Sequence, residues 1–301
     1  MQADATVACI VRVFCDGQRR PWGVTMDGKT IRMNRILEAG RAVIVPMDHG
    51  VSEGAIDGLI DMERTVSLVE KGGASAVLLH KGLIKSLRAP PGCGIIMHAS
   101  AGTKYAEDKN RKVLVACVDT ALRLGADAIS IHVNVGGSAA EHDMLQELGE
   151  LADRCDREGL PLLAMTYARG KGVTGSPQEI AHAARVGGEL GADLVKCPYT
   201  GDVGSMRRVT AACPAPVVIA GGPKCETDLE VLQMVEDAMA AGCIGISLGR
   251  NIFQHRRPDL MTAALRAIIV DRAPVQEAME ILSGGIEMSI GSLPVTVSAA
   301  R

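Results

Sequence analysis

The sequence predicts an α/β protein of the (β/α)8 TIM-barrel class, and three observations lead there. From residue 42 onward, short apolar runs rich in Val and Ile alternate with longer amphipathic stretches, the rhythm of βα units around a parallel sheet. Four of the runs follow one recurring small-residue turn, "GGASAV", "GADAIS", "GADLVK" and "GCIGIS", where glycine suits the left-handed turn that closes a helix before the next strand. Eight such units occupy about 230 residues, close to the ~250 of a typical barrel.

In order, the runs are "AVIVPMDH" (42–49), "AVLLHKG" (76–82), "GIIMHAS" (94–100), "AISIHVNV" (128–135), "PLLAMTY" (161–167), "LVKCPY" (194–199), "PVVIAGG" (216–222) and "GISLGRN" (245–251). Each is too short for an ordinary helix, is largely apolar and ends in polar or glycine residues, which marks a buried strand. A doubly wound sheet is the rival, but it needs a topological switch point and usually fewer strands. No Pro- or Ser-rich linker divides the region, so residues 36–273 read as one barrel domain. Residues 1–35 read as an N-terminal extension, because "MQADATVACIVRVFCDGQ" lacks the basic start and cleavage site of a leader. Residues 274–301 read as a helical or flexible C-terminal tail.

Composition narrows the class of partner. The 301 residues are 47% hydrophobic with a net charge of −3, and no basic stretch exceeds Lys85 to Arg88 or Arg256-Arg257. Neither nucleic acid nor a membrane is expected, and no apolar run approaches the ~18 residues of a span. Aromatics make up 2%, so Val, Ile, Leu, Ala and Met must build the core, and stacking platforms for bases are not expected. Nine cysteines without a C-x-x-C pair read as free thiols in a reducing cytosol, hence a cytoplasmic protein.

In a barrel the active site lies at the C-terminal strand ends. There the runs carry Asp48 and His49, His80 and Lys81, His98, His132 and Asn134, Tyr167 and Arg169, Lys196 and Tyr199, Gly221 and Gly222, then Gly249 and Arg250. Lys196 is the sharpest of these. Burial disfavours a lysine's charged form, and a neutral amine is a nucleophile toward carbonyl carbon. Two readings stand: a Schiff-base lysine, or a lysine paired with a strand carboxylate or reaching out of the mouth. Tyr167 reads as a proton donor and acceptor or as a core-edge tyrosine. Asp48 reads as a proton shuttle, a holder of an ammonium or a helix N-cap. The glycine-rich segments "AGGPK" and "LGRN" follow the seventh and eighth runs, where barrels bind phosphate through backbone N–H groups, with Arg250 adding charge. His49, His80, His98 and His132 end four runs and support a competing metal-dependent lyase, although no H-x-H or H-x-x-E pattern backs it. Lys81, in "LLHKG", is the second candidate nucleophile.

The segments "GRAVIVPMDHGVSEG", "ADAISIHVNVG", "PLLAMTYARGK", "ADLVKCPYTGD", "CPAPVVIAGGPK" and "GISLGRNIFQH" together resemble the archaeal-type class I aldolases, in order and in spacing, over residues 40 to about 270. The resemblance implies a Schiff-base lysine at Lys196, a proton-donating tyrosine at Tyr167 and an assisting aspartate at Asp48. It places sugar contacts on His49, Gly50, Val51 and Ser52, further substrate contacts on Ala168 and Arg169, and phosphate contacts on Gly221, Gly222, Gly249 and Arg250. Two departures stand out: Ala168 replaces the usual proline, and Cys197-Pro198 follows the lysine where serine or threonine is common. The implied reaction joins an enamine derived from a ketose phosphate to an aldehyde such as L-aspartate semialdehyde, with no cofactor and no metal. Aldolases that use dihydroxyacetone phosphate are the near alternative. Related enzymes form rings of ten, so the resemblance also implies a homo-oligomer.

Overall fold

In the computed structural model, which describes residues 27–284, all eight runs are parallel strands of one closed barrel. The strands are β1 Ala42–Pro46, β2 Ala76–His80, β3 Gly94–His98, a two-stranded arm β4 Ser100–Ala101 with β5 Val113–Leu114, β6 Ala128–Val135, β7 Leu162–Ala168, β8 Leu194–Pro198, β9 Val217–Ala220 and β10 Gly245–Ser247. Around the barrel the order is β1-β10-β9-β8-β7-β6-β3-β2, closing between β2 and β1. The antiparallel arm β4–β5 stands outside that order and lies in the connection between β3 and β6.

The helices are α1 Gly28–Ile36, α2 His49–Glu53, α3 Met62–Lys71, α4 Lys81–Ser86, α5 Val118–Arg123, α6 Glu141–Glu158, α7 Pro177–Glu189, α8 Val203–Ala212, α9 Asp228–Ala240, α10 Arg250–Phe253, α11 Pro258–Arg266 and α12 Val275–Leu282. Local chemistry fixes their starts. Ser176 with Glu179 and Thr227 with Glu230 form capping boxes that satisfy the first backbone N–H groups of α7 and α9. Asp27, Asp61 and Asp202 cap α1, α3 and α8 with one carboxylate oxygen each. The recurring turn behaves as its sequence requires: Gly73, Gly125, Gly191 and Gly242 all hold positive φ, between 74° and 97°.

Two apolar layers hold the barrel, and strand alternation separates them. Val43, Val45, Val77, Leu79, Ile129, Ile131, Val195 and Ile219 face outward into the layer shared with the helices. Ala42, Ile44, Ala76, Leu78, Ile96, Ala128, Leu163, Leu194 and Val218 face inward and form a second cluster with Met33, Ile36 and Leu37. The helix α1 therefore closes the base of the barrel. Polar ties hold it there: Arg35 pairs with Asp127 at 2.7 Å and Lys29 with Asp193 at 3.0 Å, while the Ser75 hydroxyl donates to the Ile36 carbonyl at 2.8 Å. Ser75, Asp127 and Asp193 occupy the same position in three of the repeated turns. At the other end of the chain, Val275, Ala278 and Ile281 of α12 are buried in the outer layer. The remaining parts of the extension and tail, residues 1–26 and 285–301, lie outside the described residues.

The strands are shorter than the runs that predict them, because the last residues of several runs leave the sheet. Asp48 and His49 turn into α2, Lys81 starts α4, and Arg250 starts α10. Met33 is 1% exposed beneath the barrel. Truncation by Met33→Ala is expected to lower stability by about 2–4 kcal/mol in urea unfolding, and a loss below about 0.5 kcal/mol would show that α1 does not seal the base.

Candidate active site

Along each inward row the residue type changes from apolar to polar as the strand rises toward its C-terminal end. Leu194 is followed two residues on by Lys196, Ile96 by His98, Leu78 by His80, Ile44 by Pro46 and then Asp48, and Leu163 by Met165 and then Tyr167. On β6 the inward row runs Ala128, Ser130, His132, Asn134. Register aligns these rows: His80 is level with His98, His98 with Ser130, His132 with Met165, and Met165 with Lys196. The result is a cavity of about 250 Å³ at the mouth, lined by Asp48, His80, His98, His132, Tyr167 and Lys196 together with residues from the surrounding loops.

Lys196 is 6% exposed, and among the described residues its ammonium has no ion pair and no hydrogen-bond acceptor. The reading of a lysine paired with a strand carboxylate thus finds no partner. Asp48 stands in the same cavity with its carboxylate oxygens 3.6 Å from His49 Nδ1 and 3.6 Å from His98 Nε2. Burial alone would raise its pKa, but His98, His49 and the Lys196 ammonium outweigh burial and hold the carboxyl down to about 2.

Burial acts on the imidazoles in the opposite sense. It pushes His98 down to about 4 and His132 down to about 3, and it lowers His49 and His80 as well. All four rings are therefore neutral at pH 7. His98 Nδ1 shares a hydrogen bond with the Ser130 hydroxyl at 2.8 Å, and His132 Nε2 donates to Asn134 Oδ1 at 3.0 Å. Among the described residues no three His, Cys, Asp or Glu side chains converge as metal ligands; His49 packs edge-on against Phe253, His80 against His98, and His132 stacks on Tyr167. The Tyr167 ring is packed by two neighbours: the His132 ring stacks at 4.9 Å and the Arg169 guanidinium carbon lies 4.2 Å from its centroid.

The structure brings together Lys196, Tyr167, Asp48, His49, Val51, Ser52, Arg169 and Arg250 around one cavity. Gly50, Ala168, Gly221, Gly222 and Gly249 do not line it. Two of these, Gly222 and Gly249, adjoin it through their neighbours. Arg250 Nη2 donates to the Gly222 carbonyl at 3.0 Å, its Nε is buried without a partner among the described residues, and a Cβ on Gly249 would come within 2.6 Å of the His49 ring. The second candidate lysine, Lys81, is exposed and donates to the Val115 carbonyl, away from the cavity. Cys197 points outward from Lys196 into the helix-facing layer, where burial raises its thiol well above the ordinary range, and Pro198 ends the strand.

Sequence reasoning missed two charged residues of the site, Glu53 at the end of α2 and Lys112. Lys112, just before β5, lines the cavity, and burial together with the nearby Arg169 charge lowers its pKa. A strand-end search cannot find it, because it comes from the arm between β3 and β6. Lys196, Lys112, Arg169 and Arg250 face the two carboxylates Asp48 and Glu53, and among the described residues none of the four cations forms an ion pair. Such a cavity suits anionic ligands.

The histidines also set an acid limit on stability. His98 and His132 have folded pKa values below the ordinary 6.5, so below pH 6.5 the unfolded chain binds more protons than the folded one. Stability is therefore full above pH 6.5 and falls as the pH drops toward 4, by up to about 1.4 kcal/mol per pH unit for each ring. Thermal unfolding between pH 7.5 and pH 4.5 reads this, and a melting temperature that stays flat or rises on acidification would contradict it.

Comparison with known proteins agrees with this fold. Residues 42–255 match the family model of the DeoC/LacD family aldolases. The chain is 44% identical over 258 residues to the 2-amino-3,7-dideoxy-D-threo-hept-6-ulosonate synthase of Halobacterium salinarum, covering 85% of this chain and 97% of the relative. It is 37% identical over 247 residues to the 2-amino-4,5-dihydroxy-6-oxo-7-(phosphonooxy)heptanoate synthase of Streptomyces griseus, covering 80% and 90%. A solved Schiff-base-forming fructose-1,6-bisphosphate aldolase superposes with a TM-score of 0.75 at 29% identity, covering 81% of this chain and all of that one. An eight-stranded barrel whose mouth gathers an unpaired buried lysine, a tyrosine and an ionised aspartate, and whose sequence matches that family across the barrel, belongs to the DeoC/LacD family of aldolases.

Proposed function

We propose that the protein is a class I aldolase or transaldolase that forms a Schiff base at Lys196. The observation that carries this reading is the buried Lys196 amine, free of any carboxylate partner among the described residues, in one cavity with Tyr167 and Asp48. The unprotonated amine attacks the ketone carbon of a ketose phosphate, and the carbinolamine loses water to give an iminium. The β-hydroxyl then gives up its proton, the adjacent C–C bond breaks, and its electron pair moves into the iminium. An aldehyde fragment departs and an enamine remains. The enamine carbon attacks the acceptor aldehyde, the new alkoxide takes a proton, and water releases the product and the amine.

Tyr167, which lines the cavity with its ring packed against His132 and Arg169, is the proton carrier in this scheme. Asp48 has a pKa far below the neutral range where a general acid works best. Its role is electrostatic: a permanent carboxylate beside the iminium that stabilises the cation as it forms. Arg250 and the Gly221-Gly222 and Gly249 turns hold the donor phosphate.

The proposed substrates follow the Halobacterium relative: a deoxy-ketose phosphate donor and L-aspartate semialdehyde as acceptor, as in a 2-amino-3,7-dideoxy-D-threo-hept-6-ulosonate synthase. The Streptomyces relative favours a second reading, with dihydroxyacetone phosphate as donor, and the solved aldolase favours it too. A cytoplasmic homo-oligomer acting without a cofactor or metal completes the proposal.

Borohydride reduction in the presence of each ketose phosphate, followed by peptide mapping, tests the reading. A mass adduct on Lys196 that disappears in Lys196→Met is expected; an adduct elsewhere, or none with any donor, would sink it. In Tyr167→Phe the adduct is expected to persist while turnover falls by about 10²- to 10⁴-fold. Activity that survives EDTA separates this chemistry from a metal-dependent lyase.

A further inference from the structure

The cations of the cavity are not grouped together, and the barrel order fixes where they stand. In the closed order β10 and β6 lie four strands apart, directly across the mouth, and β8 lies midway between them. Arg250 follows β10, and Lys196 is on β8. Lys112 comes from the β4–β5 arm, which is pinned to β6: the Asn134 amide donates to the Asn110 carbonyl at 2.6 Å, and the His132 N–H donates to the Ser100 hydroxyl at 3.0 Å. A substrate whose phosphate sits at Arg250 and whose carbonyl carbon meets Lys196 therefore extends toward Lys112.

The arm is built to present that lysine. Ser138, just after β6, donates to Asp108 at 2.6 Å, and on the other side of the arm the Ser52 hydroxyl donates to the Gly102 carbonyl at 3.0 Å. The Lys112 stem lies across Gly102, where an added Cβ would meet its Nζ at 2.9 Å. Its ammonium has only the Lys109 carbonyl, at 3.3 Å, and no ion pair among the described residues. Arg169 stands close enough to oppose its charge. Asp48 and Asp108 offset part of the Lys112 charge, but neither Lys112 nor Arg169 forms an ion pair among the described residues, and the remaining excess of positive charge forms a site for an anion.

We infer that Lys112, with Arg169, is a second anion subsite that binds the anionic end of the acceptor aldehyde, a carboxylate or a phosphate, and so points its carbonyl at the enamine on Lys196. The inference rests on the Schiff-base reading, and the test separates the two. Lys112→Met keeps the stem and removes the charge, while Lys112→Arg keeps the charge. Steady-state kinetics use L-aspartate semialdehyde and D-glyceraldehyde 3-phosphate as anionic acceptors and glycolaldehyde as an uncharged one. In Lys112→Met the KM for the anionic acceptor is expected to rise on the order of tenfold or more, with most of the loss restored in Lys112→Arg. The KM for glycolaldehyde and for the donor is expected to move by less than about threefold. The acceptor that shows the rise identifies the anion. A rise of equal size with glycolaldehyde, or no rise with either anionic acceptor, overturns the subsite. Absence of a borohydride adduct in the unsubstituted protein overturns instead the Schiff-base reading beneath it.

Discussion

Closure of the eight-stranded barrel around an inward lysine is the constraint on which the rest depends. A closed barrel has no room for water at mid-height, so its inward rows must be apolar below and can become polar only where the strands open at the mouth. Lys196 stands at that boundary, one inward step above Leu194 and level with Met165 and Val218. No carboxylate forms an ion pair with it among the described residues. The cavity instead surrounds it with neutral imidazoles and one ionised aspartate, a setting that disfavours protonation of the rings and favours a cation formed on the lysine during reaction.

The two ends of the barrel divide the work. At the base, α1 fills the opening with Met33 and Ile36 and is anchored through Asp127, Asp193 and Ser75 of the repeated turns. That end carries stability. At the mouth, the chain leaves the same strands at Asp48, Arg169 and Arg250, and among the described residues neither arginine forms an ion pair. The cost of holding four unpaired cations at one rim is met by packing elsewhere, and it is recovered when an anion binds.

Much of the fold was legible because its signal is periodic. Eight apolar runs and four glycine turns carry the barrel, and all eight runs are strands. Lys196, Tyr167 and Asp48 were legible for a related reason: a polar residue in an inward row is tolerated only where the strand reaches the open mouth, so its position in the run already places it at the cavity. The β4–β5 arm was not legible, since strands of two residues have no period and the segment between them has no apolar pattern. Lys112 lies in that arm, so its place in the cavity follows from tertiary pinning by Asn134 and Ser52 rather than from any local motif. The glycines after β9 and β10 were recognisable as turns, but their relation to the cavity runs through Arg250 and His49, which only the folded arrangement shows. The strand-end rule also overstated Lys81, which is one residue past its inward neighbour His80 and so turns outward.

The central claim is a covalent bond at Lys196 with a fixed direction of substrate across the mouth. Electron density from crystals soaked with a ketose phosphate donor tests both parts at once. The account predicts continuous density from Lys196 Nζ to the donor's former ketone carbon, with the phosphate lodged against Arg250 and the Gly221-Gly222 turn. Density that shows the phosphate beside Lys112, or a donor bound without a bond to Lys196, would contradict it.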